Sequence, residues 1–124
     1  MRLGKTKAFT LIELVMVIVI IGILAVVAIA RYFDLAHDAE TAAEMGVVAG
    51  VVSGIYTYYA QNKAFPPALD SASAGQACSF GNACFAAVLG QGGITQDWIK
   101  SGNFNYTGPT GRVYTYTAAE GFFK

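Results

Sequence analysis

Residues 9–30 form a nearly unbroken apolar run, FTLIELVMVIVIIGILAVVAIA, in which Glu13 is the one ionisable side chain. At ~1.5 Å per residue, a helix of this length matches a hydrocarbon core ~30 Å thick. Beyond Arg31 the pattern becomes two-faced. There is no proline over residues 32–62, and Ala, Glu and Met keep helical propensity high. The prediction is one continuous helix from residue 9 to about 62. Val48, Val51, Val52, Ile55 and Tyr59 recur at helical spacing as a bulky stripe. Ala39, Ala43, Gly46, Gly50 and Gly54 form a smooth one. Each interior glycine costs ~1 kcal/mol relative to alanine, so this series implies close approach of a partner surface. The expectation is that the valine stripe holds a globular head while the small stripe packs on another subunit. The alternatives are that the faces exchange roles or that the glycines only weaken the helix. Above the valines the same sector carries His37, Glu40 and Glu44, which predicts a polar waist that the head does not cover.

Phe65-Pro66-Pro67 ends the helical pattern, because the residue before proline avoids helical geometry and proline donates no hydrogen bond. Residues 68–93 are small and Gly-rich and read as loop, with a short helix over 83–89. Residues 95–100 read as a capped helical turn that pins Trp98 into the head and stops at Gly102. Residues 104–107 and 112–117 are aromatic and β-branched, and Gly108-Pro109-Thr110-Gly111 between them is a strong turn signal. They predict a hairpin, extended by residues 121–123 into a small antiparallel sheet lying on the valine stripe. The fold class is therefore α+β: a long N-terminal helix packed against a small C-terminal antiparallel sheet. A head of about sixty residues is marginal alone, so the helix must supply much of its core.

Composition sharpens this picture. The mean hydropathy of +0.48, with only 13% charged residues, is high for a 124-residue chain, and the apolar run accounts for much of it. Formal charge is zero, but three of the eight basic residues, Arg2, Lys5 and Lys7, precede the run. Without them five bases face eight acids, a net of −3, which leaves no basic patch to argue for nucleic acid. Candidate chemistry is sparse. His37, the only histidine, lies between Asp34 and Asp38 with no further ligand or nucleophile at useful spacing, and reads as a helix-surface residue. There is no triad, metal cluster or phosphate loop in the sequence, so neither an enzyme nor a bound metal or cofactor is expected. Cys78 and Cys84 are too close for a long staple and lack CxxC spacing, so in an exported chain they read as a small structural disulfide loop.

Export follows from charge asymmetry. The basic start keeps the N-terminus cytoplasmic and sends everything after the run across the membrane. The run could be a cleaved signal peptide ending at Ala28-Ile29-Ala30, a permanent anchor, or an anchor trimmed only at its leader. A signal core is normally ~7–15 residues and has no use for a buried carboxylate, which disfavours the first.

Lys7-Ala8-Phe9-Thr10-Leu11-Ile12-Glu13 followed by the apolar helix resembles the class III signal of type IV pilins and pseudopilins. The resemblance implies a leader of residues 1–8 removed by a prepilin peptidase between Ala8 and Phe9, with N-methylation of Phe9. It implies a membrane and filament-core helix over 9–30, an amphipathic continuation over 31–62 and a head over 63–124. It also implies that Phe9 and Glu13 act in assembly: the new amine of one subunit neutralises the Glu13 of its neighbour, so the lone charge is relieved by association. Ala8 stands where the family usually has glycine, and Ala30 where many members have proline, so helix unwinding is expected, if anywhere, at Gly22. Residues 31–44 resemble mannose-sensitive-haemagglutinin-type pilins in particular.

The resulting expectation is a structural subunit of a homopolymeric type IV pilus-like filament. It would be stored as a single-pass inner-membrane protein with its N-terminus inside, surrounded by lipid. An assembly platform with its ATPase would then extract it into a filament on the cell surface. The rivals are a pseudopilin of a type II secretion system, and a monomeric membrane-anchored or secreted binding domain.

Overall fold

A computed structural model describes Gly4 and residues 7–124. The basic leader residues Arg2 and Lys5 lie outside the described residues. Contacts divide the chain into two units that meet between Asp38 and Ala39. A single helix, α1 (Leu11–Asn62), contributes to both. In the first unit every large apolar side chain of the run is exposed, from Leu11 through Ile29. None of the most apolar stretch is buried inside the protein, so this segment has the length and composition to cross a membrane and no internal core to occupy.

In the second unit the helix carries one face of the head. Val51 and Ile55 are fully buried, Val48 and Val52 are half-buried, and Tyr59 stacks on Phe65 with ring centroids 4.6 Å apart. The helix stops before the prolines reach it. Lys63 takes a left-handed conformation (φ 57°) and its N–H donates to the Tyr59 carbonyl at 2.8 Å, a single-bond left-handed cap. Pro66 is buried behind this cap, and its carbonyl accepts the Tyr116 hydroxyl at 2.6 Å.

The sheet is a five-stranded antiparallel meander, β1 (Gln76–Ala77), β2 (Ile99–Lys100), β3 (Asn105–Thr107), β4 (Val113–Thr117) and β5 (Phe122–Phe123), in sequential order. The expected hairpin is present: Tyr106 pairs with Tyr114, and Gly111 supplies the positive φ (85°) of its turn. Phe122 and Phe123 extend it, pairing with Thr117 and Tyr116. The core between sheet and helix is aromatic. Phe85 meets Trp98, Tyr106 and Phe123 with centroids 4.4–5.5 Å apart, distances at which offset and edge contacts are favourable.

Two local expectations fail. Residues 95–100 are not a helical turn: Asp97 has φ 62°, and Ile99–Lys100 is strand β2, paired to β1 and β3. Trp98 is nevertheless buried, because the extended backbone sends Trp98 and Lys100 inward and Ile99 outward. Residues 83–89 form turns rather than a helix. Phe85 has φ 60°, which breaks helical geometry, and its amide is taken by the Asp70 carboxylate.

Candidate functional site

The N-terminal candidates lie together at the start of α1. Ala8 and Phe9 are exposed and outside regular structure, and the helix begins two residues after Phe9. Thr10 is the N-cap. Its hydroxyl accepts from the Glu13 amide at 3.3 Å, while Glu13 Oε2 accepts from the Thr10 amide at 2.9 Å and from its hydroxyl at 3.1 Å. This is a capping box, in which side chains three apart satisfy each other's backbone donors. The Thr-x-x-Glu spacing announces it in the sequence, where Glu13 was read only for its charge. The carboxylate therefore has a partner within its own chain, which fixes its position against Thr10.

A second glutamate of the same helix behaves differently. Glu44 is only 2% exposed, although it was expected in a solvated waist. Its Oε2 accepts from the Thr110 amide at 2.8 Å and hydroxyl at 2.7 Å, and its Oε1 accepts from the Tyr114 hydroxyl at 2.6 Å. Burial pushes the carboxyl up, but the bonds from Thr110 and Tyr114 and the charge of Arg112 outweigh it and hold it below the ordinary carboxylate range. Burial and the bond to Glu44 push the Tyr114 hydroxyl the other way. The head thus reaches one full turn further along the helix than the valine stripe indicates. The shared helical sector of Glu44 with Val48, Val51 and Ile55 is visible in the sequence, but its polarity there implied an uncovered waist, whereas Thr110 and Tyr114 bring the head over it.

The head contains a further polar centre that sequence reasoning did not find. Asp70 Oδ1 accepts from Lys100 Nζ at 2.5 Å and the Ala72 amide at 3.1 Å. Oδ2 accepts from the Phe85 amide at 2.8 Å and the Tyr106 hydroxyl at 2.9 Å. Lys100 Nζ also donates to the Ala72 carbonyl at 2.9 Å. Both charged side chains are almost entirely buried, and burial and the Asp70 charge push the Tyr106 hydroxyl far above the phenol range. A buried ion pair is tolerable only when its remaining hydrogen-bonding capacity is met. Among the described residues no buried side-chain polar atom lacks a partner. The centre ties the loop after the prolines to β2 and β3. No group of three or more metal-ligating side chains occurs among the described residues.

Cys78 and Cys84 are bridged, with Cα atoms 5.5 Å apart. The glycine stripe divides. A Cβ on Gly54 would collide with the backbone of Val88, and one on Gly50 would touch Leu89 at 3.4 Å, so the close approach at these two positions is to the chain's own head. The expectation that they pack on another subunit is corrected. Gly46 faces open space and has no such contact.

Comparison with known proteins accords with this arrangement. Residues 3–29 match the model of the prokaryotic N-terminal methylation motif. The chain is 33% identical over 120 residues to a fimbrial protein of Moraxella nonliquefaciens, covering 94% of this chain and 78% of that one. It is 32% identical over 99 residues to the type IV major pilin protein PilE of Neisseria gonorrhoeae, 80% of this chain but 59% of the relative. It is 44% identical over 62 residues to the type IV narrow pilus major component PilA5 of Thermus thermophilus, about half of each. No solved structure matches. The helix, sheet and motif define a pilin-like subunit, and the chain belongs to the type IV pilin family.

Proposed function

We propose that this pilin is a structural subunit of a type IV pilus-like filament, assembled through α1 with the head outward. The observation that carries the reading is the exposed apolar surface of residues 11–29, with a single carboxylate near its start and no core of its own to fill. Such a surface is stable in lipid or against copies of itself. Before assembly the chain sits in the inner membrane with the head outside, the orientation favoured by the basic start. A prepilin peptidase cuts between Ala8 and Phe9, a bond that lies outside regular structure and is exposed. The freed amine of Phe9 is methylated.

In the filament, the Phe9 amine of one subunit meets Glu13 of another. A charge pair formed out of water favours one register over its neighbours, so Glu13 acts as a register key. An inner-membrane platform with its ATPase supplies the work of extraction. The role is structural, and Asp70, Lys100 and Glu44 are engaged in holding the head together. Mass spectrometry of fibres sheared from cells tests the reading: the subunit is expected to begin at N-methylated Phe9. Fibres whose subunit begins at Met1 or Arg31, or the recovery of this chain solely as a monomer, would overturn it.

A further inference from the structure

The Asp70–Lys100 pair holds an amine against a carboxyl group out of water. The Lys100 and Asp70 side chains are 6% and 0% exposed, and Nζ lies 2.5 Å from Oδ1. Nζ is 5.7 Å from the centre of the Tyr106 ring, which packs on the buried ring of Phe85. A second bond, donated to the Ala72 carbonyl at 2.9 Å, fixes the amine in place.

The two carboxyl oxygens have different surroundings. Oδ1 faces the amine. Oδ2 accepts from the Phe85 amide at 2.8 Å and from the Tyr106 hydroxyl at 2.9 Å. Two fixed donors on one acyl oxygen, in a water-excluded site, are the arrangement that stabilises the oxyanion of acyl transfer. Burial and the Asp70 charge keep the Tyr106 hydroxyl protonated and able to donate. The same bonds suit an amide. A secondary amide has one N–H and a carbonyl with two lone pairs. Here the N–H would keep the Ala72 carbonyl, and the carbonyl would keep Phe85 and Tyr106. The Ala72 amide gives up its acceptor Oδ1, and Ala72 is half-buried.

We propose that Asp70 and Lys100 condense after folding into an intramolecular amide that joins Cγ to Nζ. The Nζ lone pair attacks Cγ, the oxyanion forms on Oδ2, and Oδ1 leaves as water. Two of the three ammonium protons depart with that water, and the third remains as the amide N–H. The Nζ–Cγ bond forms and the Cγ–Oδ1 bond breaks; nothing is oxidised or reduced, and no co-reactant is consumed. Fixed apposition of this kind supplies an effective concentration of about 10⁵ M or more. Condensation also removes two buried charges, whose desolvation is costly. The amide ties the loop after the prolines to β2, thirty residues further on, and closes a covalent ring that contains β1 and the Cys78–Cys84 bridge. The inference concerns the head alone and stands apart from the filament reading.

The test is mass spectrometry of the full chain purified from the cells that make it, unfolded, reduced and digested. Trypsin does not cut after an acylated lysine, so residues 64–112 should be recovered as one peptide, lighter than its sequence by one water. Chymotryptic cleavage after Phe85 should leave the Asp70 and Lys100 fragments joined, which separates this amide from water loss elsewhere. Recovery of residues 64–100 at full sequence mass, or a deficit mapped to other residues, means an ion pair only and overturns the proposal. This measurement uses the unmodified chain and does not depend on a variant folding. Tyr106→Phe keeps the ring but removes one donor to Oδ2, and should slow linkage about a hundredfold, read as the linked fraction at a fixed time after synthesis. Linkage at the wild-type rate in that variant counts against the assigned chemistry.

Discussion

Glu13 and Glu44 lie on one helix and are held in opposite ways. Glu13 caps its own helix start amid exposed apolar side chains. Glu44 is enclosed by the head and fully engaged by Thr110 and Tyr114. The difference separates two kinds of stability. Residues 39–124 close on themselves, with a core of buried aromatics and satisfied polar groups. Residues 11–29 offer an equally apolar surface that nothing in the chain covers. Substitutions in the head should therefore change folding, and substitutions at the helix start should change association.

The largest effect is expected at Asp70. Asp70→Ala leaves Lys100 buried without its counter-charge and removes the acceptor of the Phe85 amide and Tyr106 hydroxyl, which should cost the head about 3–5 kcal/mol. Thermal or denaturant unfolding in detergent measures it, and a loss under 1 kcal/mol would show that the centre is dispensable. Gly54→Ala should cost about 1–3 kcal/mol, because the new methyl group meets the Val88 backbone. Gly46→Ala, facing open space, should instead gain about 0.5–1 kcal/mol from helix propensity. Opposite signs at these two glycines would separate contact with the chain's own head from contact with another subunit. A Gly46→Ala chain that is more stable yet poorer at forming filaments would place the intersubunit face at Gly46.

The smallest effect is a pH dependence. The Glu44 carboxyl is held below its unfolded value of about 4.5, so its contribution to head stability is complete above that pH and is lost as pH falls through the lower folded value. Glu44→Gln should flatten the stability profile in this acid range relative to wild type. An unchanged slope would mean that the carboxylate is not engaged as the structure has it.

What was legible in the sequence is what repeats locally. The apolar run, the valine stripe and the Gly108-Pro109-Thr110-Gly111 hairpin each declare themselves through periodicity or turn chemistry within a short window. The illegible parts depend on partners far along the chain. Ile99–Lys100 has too few residues for an alternation to be recognised, and its strand character comes from pairing with Gln76–Ala77 and Asn105–Thr107. Asp70 lies thirty residues from Lys100 and thirty-six from Tyr106, and nothing near it in sequence marks it as the acceptor of both. The glycines illustrate the limit further. Close approach occurs at Gly50 and Gly54 but not at Gly46, and spacing does not say which surface approaches; for Gly54 the answer is a backbone segment beyond the disulfide.

The proposal that Glu13 serves association beyond its part in the Thr10 capping box is tested by comparing Glu13→Gln with wild type in two readouts on the same cells. Glutamine keeps the size and an acceptor for the Thr10 cap but cannot neutralise an amine. The expected result is a membrane-embedded pilin whose head unfolds at the wild-type temperature, together with loss of filaments from the cell surface. Normal filaments, or a head destabilised by the substitution, would contradict it.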